Sequence, residues 1–153
     1  MEGPETGRDR EIQVSAVRAG LHAPRRASKE AAGFDLRAGK RARIEPDDWL
    51  LMPTGYVWHF PAGFAGLVCP RSGLALRHGL TVLNAPGVID PDFEGEVCVL
   101  LTNQGPYPVD IERGDRIAQL LVVPVLGGGV RVVERSVEGS SRGVAGFGST
   151  GVR

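Results

Sequence analysis

The sequence predicts an all-β fold. Three observations carry that expectation: 22 Gly and 11 Pro among 153 residues, short apolar runs broken by turn formers, and no long Ala/Leu/Glu/Lys run at helical spacing. A chain of this length can bury a hydrophobic core, whereas two halves would each be uncomfortably small. One domain over residues 1–153 is therefore expected.

Taken in order, residues 1–10 are polar and Gly-rich and suggest a loose terminus. The first strand is expected over residues 11–17, where Ile12 and Val14 alternate with polar neighbours. Further strands are expected over residues 49–52, 56–60, 64–69, 80–83, 96–102, 109–112, 116–125 and 130–135. Nearly every gap between them holds Gly, Pro or Asp, which is turn chemistry. Residues 72–79 differ, because helix formers lie between Ser72, a candidate N-cap, and a terminating Gly79; they predict one short helix. Residues 138–153 are rich in Gly and Ser beside a single aromatic, Phe147. Such a segment buries too little apolar area to offset its ordering entropy, so it reads as a mobile C-terminal arm, or as one that orders on a ligand.

Eighteen basic and eighteen acidic side chains leave no net charge. That disfavours a nucleic-acid partner, which is gathered by an overall positive field, but allows a small anion held by a few placed Arg side chains. Cys69 and Cys98 sit in apolar stretches without CxxC spacing and read as reduced core thiols. The amino terminus has no apolar h-region, and no apolar run approaches the ~20 residues of a membrane span. A soluble, cytoplasmic protein with no membrane partner is expected.

Four clusters stand out chemically. In Pro70-Arg71-Ser72-Gly73, an Arg, a hydroxyl and a Gly open the expected helix; free amides there with a guanidinium would cradle phosphate, while a capping Ser and a packing Gly explain them equally well. Asn84 to Glu96 place Asp90, Asp92, Glu94 and Phe93 in a Pro/Gly-rich loop between strands. Asp90 either shapes an Asp-Pro turn or takes a proton from water beside a bound anion. In the third cluster, Glu112 to Leu120, a hairpin turn at Gly114 leads into a strand whose interior amide, Gln119, needs a partner from backbone or ligand. The fourth, Arg142 to Gly151, contains a literal G-x-G-x-x-G, but no helix can open in the two residues that follow, so the dinucleotide reading fails on context. No P-loop Lys and no G-x-S-x-G are present, and His22, His59 and His78 lack metal-ligand spacing.

Together with Ala32-Gly33-Phe34-Asp35-Leu36, these clusters follow one another in the order and spacing of the five motifs of the trimeric deoxyuridine triphosphatases (dUTPases). The resemblance runs from about Ala31 to Gly151. It implies a distorted jelly-roll-like β barrel, assembled as a homotrimer whose active sites are shared between subunits, that hydrolyses dUTP to dUMP and pyrophosphate. Such an activity limits uracil incorporation into DNA and supplies dUMP for dTMP synthesis. Position by position, Asp90 would be the general base for in-line attack of water on the α-phosphorus. Asn84 and the backbone of Gly87, Val88, Ile89 and Asp90 would read uracil, with the backbone of Cys98 on the returning strand. Arg71, Ser72, Gly73 and Gln119 would hold the phosphates. Mg²⁺ would bridge the triphosphate oxygens, reached by Asp35 through water, which suits a metal that takes few protein ligands. Arg142 would clamp the terminal phosphate and Phe147 would stack on uracil, with Gly148 and Ser149 in the closing arm.

Phe93 departs from the family pattern, where Tyr is usual; packing on the deoxyribose rests on the ring and not on the phenol oxygen. Two rivals remain. A dCTP deaminase shares the fold and an Ile-Asp-Pro segment, but its catalytic Glu falls at Leu100 here, and leucine moves no protons. A non-catalytic nucleotide sensor would have no need of the base.

Overall fold

The computed structural model describes residues 12–132. The loose N-terminus and the candidate arm, with Arg142, Phe147, Gly148 and Ser149, lie outside the described residues. Twelve elements follow one another: β1 (Gln13–Ala16), β2 (Phe34–Arg37), β3 (Ala42–Ile44), β4 (Trp49–Pro53), β5 (Tyr56–His59), β6 (Phe64–Cys69), α1 (Ser72–His78), β7 (Leu80–Val82), β8 (Gly87–Ile89), β9 (Cys98–Asn103), β10 (Val109–Ile111) and β11 (Arg116–Pro124). The strands pair antiparallel into four sheets, in the orders β1-β5, β10-β3, β2-β11-β6-β8 and β4-β9-β7. The all-β expectation holds; among the described residues the sheets wrap one core without closing into a ring of paired strands.

Period-two patterning explains the layering. In β4, Met52 is fully buried while Trp49 and Leu51 are more than half exposed; in β9, Val99 and Leu101 are fully buried and Cys98 and Leu100 are not. Each buried large aliphatic contributes about 1.5–3 kcal/mol through the water it sheds. Leu36, Ile44, Trp58, Val68, Leu80, Ile117 and Leu120 join the same cluster from six further strands and all four sheets. Asn103, the one polar side chain at 0% exposure among the described residues, donates to the carbonyls of Ile44 (3.0 Å) and Tyr107 (2.8 Å) and accepts from the Gly105 amide (2.9 Å). Both its amide hydrogens and its oxygen thus find backbone partners, at the end of β3 and in the turn after β9.

Several expectations change. Residues 130–132 form no strand, and Val130 and Val132 are almost fully exposed, because a strand without a neighbour has nothing to bond. The strands β2, β3 and β8 were not anticipated, since three or four residues are too few for a periodic signal. The helix starts and stops where expected, but Arg71, in extended conformation, occupies the N-cap position and makes no side-chain cap. Ser72 is therefore the first helical residue and not the cap. Gly79 ends the helix in the left-handed region (φ 67°) and donates to the carbonyls of Ala75 and Leu74.

Candidate active site

Strand register builds the first half of the site. Gln119 on β11 stands opposite Asp35 on β2 and Cys69 on β6, so three neighbouring strands bring one row together. Beyond Cys69 the chain passes through Pro70 to Arg71 and into α1. The Gln119 amide donates to the Pro70 carbonyl at 3.0 Å, so the interior amide is satisfied by backbone while tethering the segment that carries Arg71. Asp35 is buried at 9% exposure, and one carboxylate oxygen lies 3.6 Å from Nε of Arg71 and the other 3.4 Å from Nη1 of Arg116. Arg71 also donates through Nη1 to the Arg116 carbonyl at 3.1 Å. At the start of α1 the amides of Ser72 and Gly73 have no acceptor within the helix. Among the described residues the Ser72 hydroxyl makes no hydrogen bond. Two guanidiniums against one acid, with unspent amides beside them, suit an anion. A cavity of about 480 Å³ between α1, β7, β10 and the start of β11 shares Arg71 and Arg116 with this cluster.

Arg116 carried no role in the sequence reading, for a structural reason. In a regular strand, residues 116 and 119 would point to opposite faces. The register shifts between Arg116 and Ala118, so Arg116 faces Arg37 while Gln119 faces Asp35, two residues earlier on β2. The bulge turns both side chains to one face. A cation three residues before the amide in the Gly114-Asp115-Arg116 turn was the available signal.

The second half lies on the hairpin that leaves β7 and returns as β9. The Leu83 amide donates to the Leu100 carbonyl at 2.8 Å, which extends the β7–β9 pairing and sets Asn84 and Cys98 at the hairpin's mouth. The Asn84 amide lies over Gly87, 3.2 Å from where a Cβ would stand, and the Ala85–Pro86 peptide is cis. Part of the expected loop is strand: Gly87, Val88 and Ile89 form β8, paired with Val68, Leu67 and Gly66 of β6. As the edge strand of its sheet, β8 presents backbone donors and acceptors on its outer side that no strand among the described residues pairs with. The chain then turns at Asp90, whose carbonyl accepts from the Phe93 amide at 3.2 Å. The backbone of Asp90 thus shapes the turn, while its side chain stands in solvent, with no hydrogen bond or ion pair among the described residues. The tip of the Phe93 ring rests against Gly95, where a Cβ would meet Cζ at 2.6 Å, so a side chain there would push the ring aside.

Glu96 anchors the hairpin's base, another role unseen in the sequence. It takes two hydrogen bonds from Arg18 (3.0 and 3.1 Å) and one from the Gly55 amide (2.7 Å). The Arg18 guanidinium, aided by that amide and opposed by partial burial, holds the Glu96 carboxyl below the usual range. Burial pushes the neighbouring Cys98 thiol up. Both cysteines are free.

One chain does not unite the halves. Ile89 stands opposite Gly66, near the start of β6, and Asp90 continues away from there, whereas Arg71 lies two residues beyond the end of β6. At about 3.3 Å per residue the two ends are roughly 20 Å apart, farther than the two side chains reach. No group of three or more His, Cys, Asp or Glu side chains fit to hold a metal ion occurs among the described residues, and no helix among them is long and apolar enough to cross a membrane.

Comparisons agree on one family. The dUTPase family model matches residues 19–151. A deoxyuridine 5'-triphosphate nucleotidohydrolase of Anaeromyxobacter sp. is 50% identical over 131 residues, covering 86% of this chain and 88% of that protein. The protein of the same name from Sinorhizobium medicae is 44% identical over 163 residues, covering 99% of both chains. Among solved structures, a mutant dUTPase of Staphylococcus bacteriophage 80alpha with dUpNHpp superposes at a TM-score of 0.86 with 26% identity, covering 93% of this chain and 99% of that one.

Proposed function

The chain belongs to the dUTPase family and is a dUTP diphosphatase, and on that premise we propose how its residues divide the work. The observation that carries the division is the convergence of Asp35, Arg71, Arg116 and Gln119 at one end of the β2-β11-β6-β8 sheet, with the Asp90 hairpin at the other.

Arg71, Ser72 and Gly73 take the phosphates. Gln119, through Pro70, keeps Arg71 in place and can turn its amide to the ligand. Uracil lies along the outer edge of β8, between the backbone of Gly87, Val88 and Ile89, Asn84 and the backbone of Cys98. Fixed donors and acceptors there reject cytosine, whose exchanged groups leave them unpaired, and the narrow mouth rejects the thymine methyl. Phe93, seated on Gly95, packs against deoxyribose. Asp90, exposed at the turn and unspent, orients a water and takes its proton as the oxygen attacks the α-phosphorus; pyrophosphate leaves from the opposite side. Arg142 and Phe147, with Gly148 and Ser149, close over the nucleotide and exclude bulk water.

The donor set fits Mg²⁺ as the counter-ion of the triphosphate. Asp35 is a lone acid whose two contacts, at 3.4 and 3.6 Å, are looser than a tight charge-assisted bond of about 2.8 Å, which leaves lone pairs for a metal-bound water. Bound there, the metal would neutralise phosphate charge and stabilise the leaving pyrophosphate.

The separation of the two halves supports a site completed by a second copy, and the working form is a homotrimer whose sites lie between subunits. A heterologous contact repeated around a three-fold axis supplies every copy with the half it lacks. The chain acts in the cytoplasm as a single domain, a reading that the two free thiols suit. The test is incubation with dUTP or dCTP and Mg²⁺, followed by assay of pyrophosphate and ammonia. Pyrophosphate from dUTP alone is expected. Ammonia from dCTP would mean a deaminase, against the apolar placement of Leu100 opposite Leu51; neither product would mean a sensor.

A further inference from the structure

We propose that Arg116 is a positioning residue for the triphosphate: by sharing Asp35 with Arg71, its side chain leaves the phosphate cradle with one net positive charge. The inference rests on the reading of Arg71, Ser72 and Gly73 as the phosphate cradle.

Asp35 is nearly buried and faces two guanidiniums, Arg71 at 3.6 Å and Arg116 at 3.4 Å. With Arg116 present the trio carries +1. Without it, Asp35 and Arg71 form a closed neutral pair, and the acid competes with phosphate for the same guanidinium. Because burial weakens solvent screening, that competition is not relieved by water. Both contacts are longer than tight charge-assisted bonds of about 2.8 Å, the geometry of a carboxylate divided between two cations and locked to neither. Arg71 thereby keeps N–H groups free for a ligand.

Two features give Arg116 this position. The bulge between Arg116 and Ala118 rotates its side chain onto the face that carries Asp35 and Gln119. Its carbonyl accepts from Arg71 at 3.1 Å, so the backbone aims the guanidinium while the side chain balances its charge. A substitution of the side chain spares the backbone contact and isolates the charge effect.

The experiment is equilibrium binding of a non-hydrolysable dUTP mimic and of dUMP, with chelator in place of Mg²⁺ so that Asp35 acts on the arginines alone, to the full-length parent, Arg116→Met, Arg116→Lys and the double variant Asp35→Asn/Arg116→Met, at low and moderate salt. The Met variant is expected to bind the mimic roughly tenfold more weakly, with a smaller loss on adding salt, and to bind dUMP within about twofold of the parent. Lys should recover most of the affinity, because it restores the charge. The double variant should bind the mimic more tightly than Arg116→Met alone, because removing the acid returns Arg71 to a net charge of +1; a merely structural ion pair gives no such recovery. Parental affinity for the mimic in Arg116→Met, equal loss of mimic and dUMP, or no recovery in the double variant would each overturn the proposal. If Arg116→Met does not fold, Arg116→Gln carries the same comparison. A parent that binds dUMP as tightly as the mimic would overturn the phosphate cradle itself, and this proposal with it.

Discussion

Mixing two inactive variants should restore activity, to a level fixed by geometry. Asp90 and Arg71 lie at opposite ends of β6, roughly 20 Å apart by strand rise. If one site takes its base from one copy and its phosphate-binding arginine from another, Asp90→Asn chains and Arg71→Ala chains each supply what the other lacks. Each pure variant fails at every site. In hybrids refolded together from denaturant at equal amounts, a site is intact only when its base comes from an Arg71→Ala chain and its arginine from an Asp90→Asn chain. Each condition holds half the time, so about one quarter of sites regain both groups, whatever the number of copies in the ring. The assay is pyrophosphate release from dUTP per chain, compared with the refolded parent and with the variants mixed after separate refolding. A co-refolded sample no more active than the separately refolded mixture would mean that a single chain builds its own site.

Three further outcomes follow from the same geometry. Asp90→Asn should retain affinity for a non-hydrolysable dUTP mimic yet lose about 10²–10⁴ in kcat; turnover at the parental rate would remove Asp90 as the base. Glu96 is held below its ordinary range by Arg18 and the Gly55 amide, so its contribution to stability is complete above about pH 4.3 and is lost as pH falls through its lower folded value. The stability difference between parent and Glu96→Gln in urea should therefore be constant from pH 7 to 5 and shrink toward pH 3; a gap of unchanged size at pH 3 would contradict the assignment. Asn103→Ala strips partners from the backbone of Ile44, Tyr107 and Gly105, at about 1 kcal/mol each or more for the buried one. A loss of about 3–5 kcal/mol is expected in chemical denaturation at fixed protein concentration, and less than 1 kcal/mol would show that water replaces the amide.

What could be read from the chain alone was local in origin. Turn formers between short apolar runs reported an all-β fold, the bounds of β6 followed from an apolar run between turn formers, and the helix stop from Gly79. The ordered motifs singled out Asp35, Arg71 and Gln119, three residues that strand register does bring together. Contacts between distant residues were not legible: Arg18 reaches Glu96 across 78 positions, β8 is an edge strand only because of its place in the sheet order, and Arg116 faces Asp35 only because a bulge resets the strand. The sequence by itself determined the all-β class and singled out the candidate site residues, on or beside short strands, because backbone propensity and side-chain alternation act over a few neighbours. Tertiary structure alone decided which of them meet, and that Asp90 and Arg71 stand at opposite ends of β6, because pairing order and register depend on how distant segments share a single core.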